Sequence, residues 1–216
     1  EVENPIKNNG LNPVPVKSLN GNRILVSVPI EDRLVYLQAW KLEIGSVSVY
    51  LLDANVEKNL PNDRIITKNL YPADQINRLQ HAMILGIGGQ KLIASLGINP
   101  CIYHMNEGHS ALLSLELIRS EMKKNRVTFS KAKDIIRKII VFTNHTLVIA
   151  GNDLFEEGLV KLVLEKYAKE ELQTPGENIL TLGKDLATGL FSMTMFSFSV
   201  SEKVNAVSKL HAFNDH

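Results

Sequence analysis

The amino-acid sequence predicts an α/β fold with a parallel sheet and additional β-strands near the N-terminus. Up to residue 53, short runs of β-branched and aromatic residues are separated by Gly and Asn, which is typical of strands and turns. After Asp74, apolar residues at helical spacing alternate with short apolar runs. Strand–helix–helix–strand–helix order with short connections indicates a parallel sheet, because parallel strands need crossover connections.

Four strands are predicted before the first long helix, at residues 13–16, 24–29, 33–40 and 46–52. Asn20-Gly21-Asn22 and Gly45 supply the turn residues between them. The first long helix is expected from Asp74, a suitable N-cap, to about Leu96, with Gly97 as the C-terminal cap. Its Gly86-Ile87-Gly88-Gly89 run lies inside the helical pattern, which favours close helix packing over phosphate binding.

In the rest of the chain, predicted strands alternate with predicted helices. Strands are predicted at 101–105, 139–142 and 204–210, and helices at 110–124, 131–138, 155–172 and 186–200. Asp153 and Glu156 have the spacing of a capping box before the 155–172 helix. The lone Cys101 is expected to be buried in its strand, which fits a reducing, cytoplasmic compartment.

The composition argues against two classes of binding partner, nucleic acids and membranes. The net charge is +1, and Lys and Arg are scattered rather than gathered in a basic stripe, so neither nucleic acid nor a charged membrane surface is an expected partner. No apolar run reaches the roughly 18 residues of a membrane span.

Two polar segments follow predicted strands of the parallel sheet, where open α/β sheets bind ligands. They are residues 106–110 and 143–146, and each contains a histidine. Helix capping alone is the alternative interpretation. A metal site at His104, Glu107 and His109 is disfavoured because H-x-x-E-x-H does not place two His on one helical face. A nucleophilic Cys101 or Ser110 is also disfavoured, since the thiol is expected to be buried and no G-x-S-x-G surrounds the serine.

The same segments resemble a known family, the α-glucan (glycogen/maltodextrin) phosphorylases. Residues 103–111, Tyr-His-Met-Asn-Glu-Gly-His-Ser-Ala, resemble the family signature H-L-N-E-G-H-S-A, and residues 141–146 resemble its F-T-T-H-T segment. Further colinear matches lie at 49–55, 63–67, 70–71, 85–89 and 201–211. Leu147, Ile149 and Ala206 depart from the pattern, standing where the family carries two prolines and a glycine.

The resemblance implies a Rossmann-like half of a GT-B glycosyltransferase. Residues 1–216 would form a single partial domain, the second half of the N-terminal domain, without the cofactor-bearing C-terminal domain. The intact enzyme would cleave α-1,4-glucan ends with phosphate to glucose 1-phosphate and would use pyridoxal phosphate, whose Lys is not in this chain. The isolated chain is therefore expected to be inactive.

Carried over by position, the resemblance assigns the site residues. His145 would line the catalytic glucosyl subsite, and Glu107 and His109 the glucan-acceptor side. Tyr71 and Asp74 fall where relatives carry a loop that gates substrate access. The residues expected to bind substrate are Asn106, Glu107, His109, Asn144, Tyr71 and Asp74.

The expected partners are an α-1,4-glucan, phosphate and the remainder of the parent polypeptide. A homodimer is possible, but truncation would expose apolar surface that the absent domain covers, so dimerisation of this fragment could be an artefact of that truncation. The alternative function is a non-catalytic carbohydrate-binding or interaction module that retains the fold.

Overall fold

The computed structural model describes residues 12–18, 20–70, 72–145 and 153–207. Its strands are β1 (Val14–Pro15), β2 (Leu25–Ile30), β3 (Arg33–Ile44), β4 (Val47–Asp53), β5 (Tyr103–Asn106), β6 (Ile140–Asn144), β7 (Leu154–Phe155), β8 (Phe191–Ser192) and β9 (Lys203–Ala206). Its α-helices are α1 (Pro61–Arg64), α2 (Gln75–Met83), α3 (Gly89–Ser95), α4 (Leu113–Asn125), α5 (Phe129–Ile136), α6 (Glu157–Lys166), α7 (Gly176–Gly183) and α8 (Met193–Val200). None of the helices in these ranges is both long and apolar enough to cross a membrane.

The N-terminal strands form an antiparallel sheet in which β3 pairs with β1, β2 and β4. Alternate residues of β3, such as Val35, Leu37 and Ala39, are buried, as expected for a strand with one face toward a core. The predicted strands at 24–29, 33–40 and 46–52 are confirmed, whereas the first is only two residues long. Gly21 and Gly45 both adopt positive φ in the turns.

The second sheet is parallel, in the order β5-β6-β9, which confirms the predicted parallel α/β arrangement. Tyr103 is paired with Ile140 and Asn106 with Thr143, so β5 and β6 end at the same edge. One continuous cluster of buried side chains joins the two sheets and the helices between them.

The long helix predicted from Asp74 to Leu96 is confirmed as α2 and α3 joined by a π-helical turn, Ile84–Gly88. The Asp74 side chain caps α2 by accepting from the Asn77 backbone N–H at 2.9 Å. Gly86 lies against the start of α4: a β-carbon there would be 2.5 Å from the Leu113 backbone nitrogen. Close packing therefore explains this glycine, as the sequence favoured.

A buried acidic residue connects α4 to the π-helical turn Tyr167–Glu171 that follows α6. Glu116 is 3% exposed and receives hydrogen bonds from Arg119 at 2.6 and 3.0 Å. The Tyr167 hydroxyl donates to the same carboxylate at 2.7 Å. Burial and the Glu116 charge raise the pKa of Tyr167, so its hydroxyl stays a donor. We call Glu116, Arg119 and Tyr167 the buried network.

Three local predictions were wrong. Cys101 is exposed, because the ladder with β6 begins only at Tyr103. Residues 186–190 are not helical: the Ala187 N–H donates to the Asp185 carboxylate at 2.9 Å, and Gly189 has φ 74°, which together close a turn.

The third error concerns the capping box. α6 begins at Glu157, and its N-cap, Glu156, makes no side-chain cap hydrogen bond. The Asp153 carboxylate is directed elsewhere, toward the edge of the parallel sheet where β5 and β6 end.

Candidate functional site

The candidate site lies at the carboxyl ends of β5 and β6. Asn106 is the last residue of β5, and Asn144 is the last residue of β6. Because the two strands are parallel neighbours, the segments that follow them leave the sheet side by side. The structure thus brings together the two polar segments that the sequence singled out.

Glu107 follows β5 with φ 69° and ψ 171°, a backbone conformation that residues other than Gly rarely adopt. Its N–H donates to the Thr143 carbonyl at 3.0 Å, which holds the turn against β6. The next residue, Gly108, lies close to α8, since a β-carbon there would be 3.1 Å from that of Met193. Neighbouring elements therefore fix a turn that the chain alone would disfavour.

This turn aims Glu107 at the residue after β6. The His145 backbone N–H donates to Glu107 Oε2 at 2.8 Å, and the His145 ring contacts Asn106 Oδ1 through Nε2. An amide oxygen can only accept, so Nε2 carries the proton in this contact. Asn106 and Glu107 thus hold His145 by its ring and by its backbone N–H. We call these three residues the strand-end group.

A second set of charges lies beside the strand-end group. His109, in the 3-10 turn after β5, approaches Asp153 Oδ2 through Nδ1 at 3.2 Å. Arg78, on α2, lies 2.6 Å from Asp153 Oδ1. The Asp153 side chain is 12% exposed, whereas His109 is 42% exposed. We call these three residues the Asp153 cluster.

The Asp153 cluster changes the acidity of His109. The hydrogen bond to Asp153 raises the pKa of His109 above its ordinary value, and the charges of Asp153 and Glu107 act in the same direction. Partial burial and the Arg78 charge lower the pKa, and the net shift is upward. The ring therefore holds a proton to a higher pH than an isolated histidine.

The other predicted substrate-binding residues have different settings. Asn144 is 2% exposed, so it belongs to the buried end of β6 rather than to the open edge. Asp74 is exposed and caps α2, the helix that carries Arg78. Tyr71 lies outside the described residues, as do Leu147 and Ile149.

The residues of the disfavoured metal site point to different partners. His104 Nε2 lies 2.7 Å from Thr143 Oγ1, and His109 is directed at Asp153. Within the described ranges, no three His, Cys, Asp or Glu side chains are grouped as metal ligands.

Sequence reasoning missed Asp153 and Arg78 as members of the site. Asp153 has the spacing of a helix cap, and Arg78 belongs to the polar face of an amphipathic helix. Their positions in the sequence could have indicated them, because Asp153 closely follows the second polar segment and Arg78 lies one helical turn after Asp74.

Three curated relatives align with nearly the whole chain. The maltodextrin phosphorylase of Thermococcus litoralis is 40% identical over 202 residues, 92% of this chain. The glycogen phosphorylases of Aquifex aeolicus and Mycobacterium tuberculosis are 34% and 30% identical over 92% and 89% of this chain. Over these residues the chain belongs to the α-glucan phosphorylase family. It spans 24% of the Thermococcus and Mycobacterium phosphorylases and 29% of the Aquifex phosphorylase. No profile of a protein family matches the chain.

A solved structure identifies the fold of this phosphorylase segment. The catalytic domain of starch synthase IV from Arabidopsis thaliana, bound to ADP and acarbose, is similar with a TM-score of 0.57 at 12% identity. The similarity covers 89% of this chain and 33% of that chain. The segment thus has a Rossmann-like α/β architecture of the GT-B fold, as predicted.

Proposed function

We propose that the chain forms the sugar-facing wall of the active site of an α-glucan phosphorylase. The complete enzyme would cleave terminal α-1,4 linkages of maltodextrin or glycogen with phosphate and release glucose 1-phosphate. The observation that carries the proposal is the strand-end group, where a carboxylate, an amide and an imidazole meet at the ligand-binding edge of the sheet. The names of the aligned relatives supply the substrate class.

The strand-end group suits a glucosyl subsite. Cleavage of a glycosidic bond develops positive charge at the anomeric carbon, and fixed dipoles stabilise that charge most effectively. Glu107 and Asn106 hold His145 at two points, so its peptide and ring are oriented before a sugar binds. We assign His145 to the subsite where bond cleavage occurs.

Glu107 and His109, which are both partly exposed, suit the acceptor side. Glu107 and His109 combine an acceptor and a donor, which together match the two hydrogen-bonding roles of a sugar hydroxyl. We assign them to the glucan chain rather than to phosphate, because the Arg78 guanidinium and the His109 ring already face Asp153.

The strand-end segments do not fit pyridoxal phosphate. Residues 103–110 and 140–145 contain no Lys that could form a Schiff base. We therefore propose that the cofactor of the complete enzyme, and most of its phosphate site, is held by other parts of the polypeptide.

The direct test compares the purified 216-residue chain with a complete enzyme that contains it. Both are incubated with maltoheptaose and phosphate, and glucose 1-phosphate is measured. We expect turnover by the complete enzyme only. Turnover by the chain alone would contradict the division of the site that we propose.

The same experiment separates the enzyme from a carbohydrate-binding module. A module would bind maltoheptaose, measured by calorimetry, yet release no glucose 1-phosphate in its complete form. Sequencing the reading frame past His216 gives an independent answer, since the enzyme requires a cofactor lysine there.

A further inference from the structure

Asp153 lies between the His109 ring and the Arg78 guanidinium, which reach it from different parts of the fold. His109 approaches one carboxylate oxygen at 3.2 Å and Arg78 the other at 2.6 Å. Its backbone is held as well: the Asp153 carbonyl accepts from the Met193 N–H at 3.0 Å, and the following Leu154 carbonyl accepts from Gln75 Nε2 at 3.3 Å. A nearly buried carboxylate is thus fixed beside a more exposed imidazole.

We propose that Asp153 is a positioning residue for glucan binding, holding His109 in the orientation and the cationic form that donates a hydrogen bond to a sugar hydroxyl, and that Arg78 opposes this effect. The inference rests on the proposed function, because it places His109 on the glucan side. Asp153 itself need not touch the glucan.

The charges around His109 support this division of roles. Asp153 and Glu107 favour the protonated ring, whereas Arg78 and burial disfavour it. Arg78 and His109 share one carboxylate, so Arg78 offsets part of the negative charge that His109 meets. Removing Asp153 and removing Arg78 should therefore shift the His109 titration in opposite directions.

An ion pair that serves only the fold predicts something different. Loss of either partner would then loosen the same contact, and both variants would change stability and affinity in the same sense. The direction of the two effects consequently decides between positioning and simple structural support.

The first measurement follows the His109 ring by long-range ¹H–¹⁵N NMR in the 216-residue chain, with His109→Gln to assign its signals. We expect the titration midpoint to fall in Asp153→Asn and to rise in Arg78→Gln. Asp134→Asn, which removes an exposed aspartate on α5, should leave it unchanged. No shift, or shifts in the same direction, would overturn the inference.

The second measurement determines the KM for maltoheptaose against pH in the complete enzyme. We expect Asp153→Asn to raise KM at pH 7 by about three- to tenfold, since a hydrogen bond from a charged donor is weakened. The defect should shrink at acidic pH, where His109 is protonated without help. Arg78→Gln keeps the carboxylate, so it tests the same coupling even if Asp153→Asn does not fold.

The two measurements separate the two claims. If the NMR midpoints move as expected while KM does not respond, His109 is not on the glucan side and its assignment under the proposed function fails. If KM follows pH as expected while the midpoints stay in place, the assignment of His109 stands and the role of Asp153 fails.

Discussion

The buried network and the strand-end group use similar chemical groups in opposite ways. In the buried network, the Glu116 carboxylate lies inside the molecule and receives hydrogen bonds from Arg119 and Tyr167. In the strand-end group, the Glu107 carboxylate lies at an open edge of the sheet and receives the backbone N–H of His145. The first joins helical segments, whereas the second holds the residue that follows β6 at the open edge of the sheet.

The backbone conformations of Glu116 and Glu107 also differ. Glu116 lies inside a regular helix, α4, where its conformation is unstrained. Glu107 has φ 69°, a conformation that costs of the order of 1–3 kcal/mol for a residue with a β-carbon. The Glu116 carboxylate thus lies on an unstrained helix, whereas the Glu107 carboxylate is presented by a backbone conformation that costs stability.

The largest expected effect is in the buried network. Glu116→Ala should lower the free energy of unfolding by about 3 kcal/mol, because it leaves the Tyr167 hydroxyl and part of Arg119 without their buried partner. Urea unfolding of the 216-residue chain measures the loss. Glu121→Ala, at a partly exposed position of the same helix, should change stability by less than about 0.5 kcal/mol. Equal losses in the two variants would remove the distinction between the buried and the partly exposed carboxylate.

In the strand-end group the expected effect is on catalysis. His145→Ala in the complete enzyme should lower kcat by roughly tenfold or more, about 1.4 kcal/mol of transition-state stabilisation. Its unfolding midpoint should change little, because His145 is exposed. His104→Gln, another exposed histidine of the parallel sheet, should keep kcat within about twofold. Unchanged kinetics in His145→Ala would exclude this residue from the site.

The smallest expected effect is the difference in stability between two variants of Glu107, which measures the backbone strain at this residue. Glu107→Ala and Glu107→Gly both remove the carboxylate, but only Gly adopts φ 69° without strain. We expect the Gly variant to be more stable than the Ala variant by about 1 kcal/mol, measured by urea unfolding. At Glu121 the Ala variant should instead be more stable than the Gly variant by about 1 kcal/mol, since Gly is unfavourable inside a helix. The same order at both positions would show that Glu107 is not strained.

Much of the fold could be predicted from the sequence because it depends on local periodicity. The strands 33–40 and 139–142 and the helix from Asp74 are all readable from neighbouring residues. The meeting of Asn106, Glu107 and His145 was also predictable, because parallel neighbouring strands end at one edge.

The rest depended on contacts between residues far apart in the chain. Asp153 has the spacing of a helix cap, and only the approach of α2 shows that it faces Arg78. The stretch after Leu186 is apolar enough for a helix, yet the Asp185 side chain closes a turn there. Cys101 belongs to an apolar run, but its segment precedes the point where β5 finds its partner.

Gly86 sets the distance between two helices that both lead to the site. The helix that packs at Gly86 carries Arg78 two turns earlier, and the α4 start that it touches follows the turn containing His109. A methyl group at residue 86 would push the Leu112–Leu113 backbone away and separate these two elements. A residue without a side chain thus lets the helix that carries Arg78 lie against the helix that follows His109, two residues whose side chains reach the same Asp153 carboxylate.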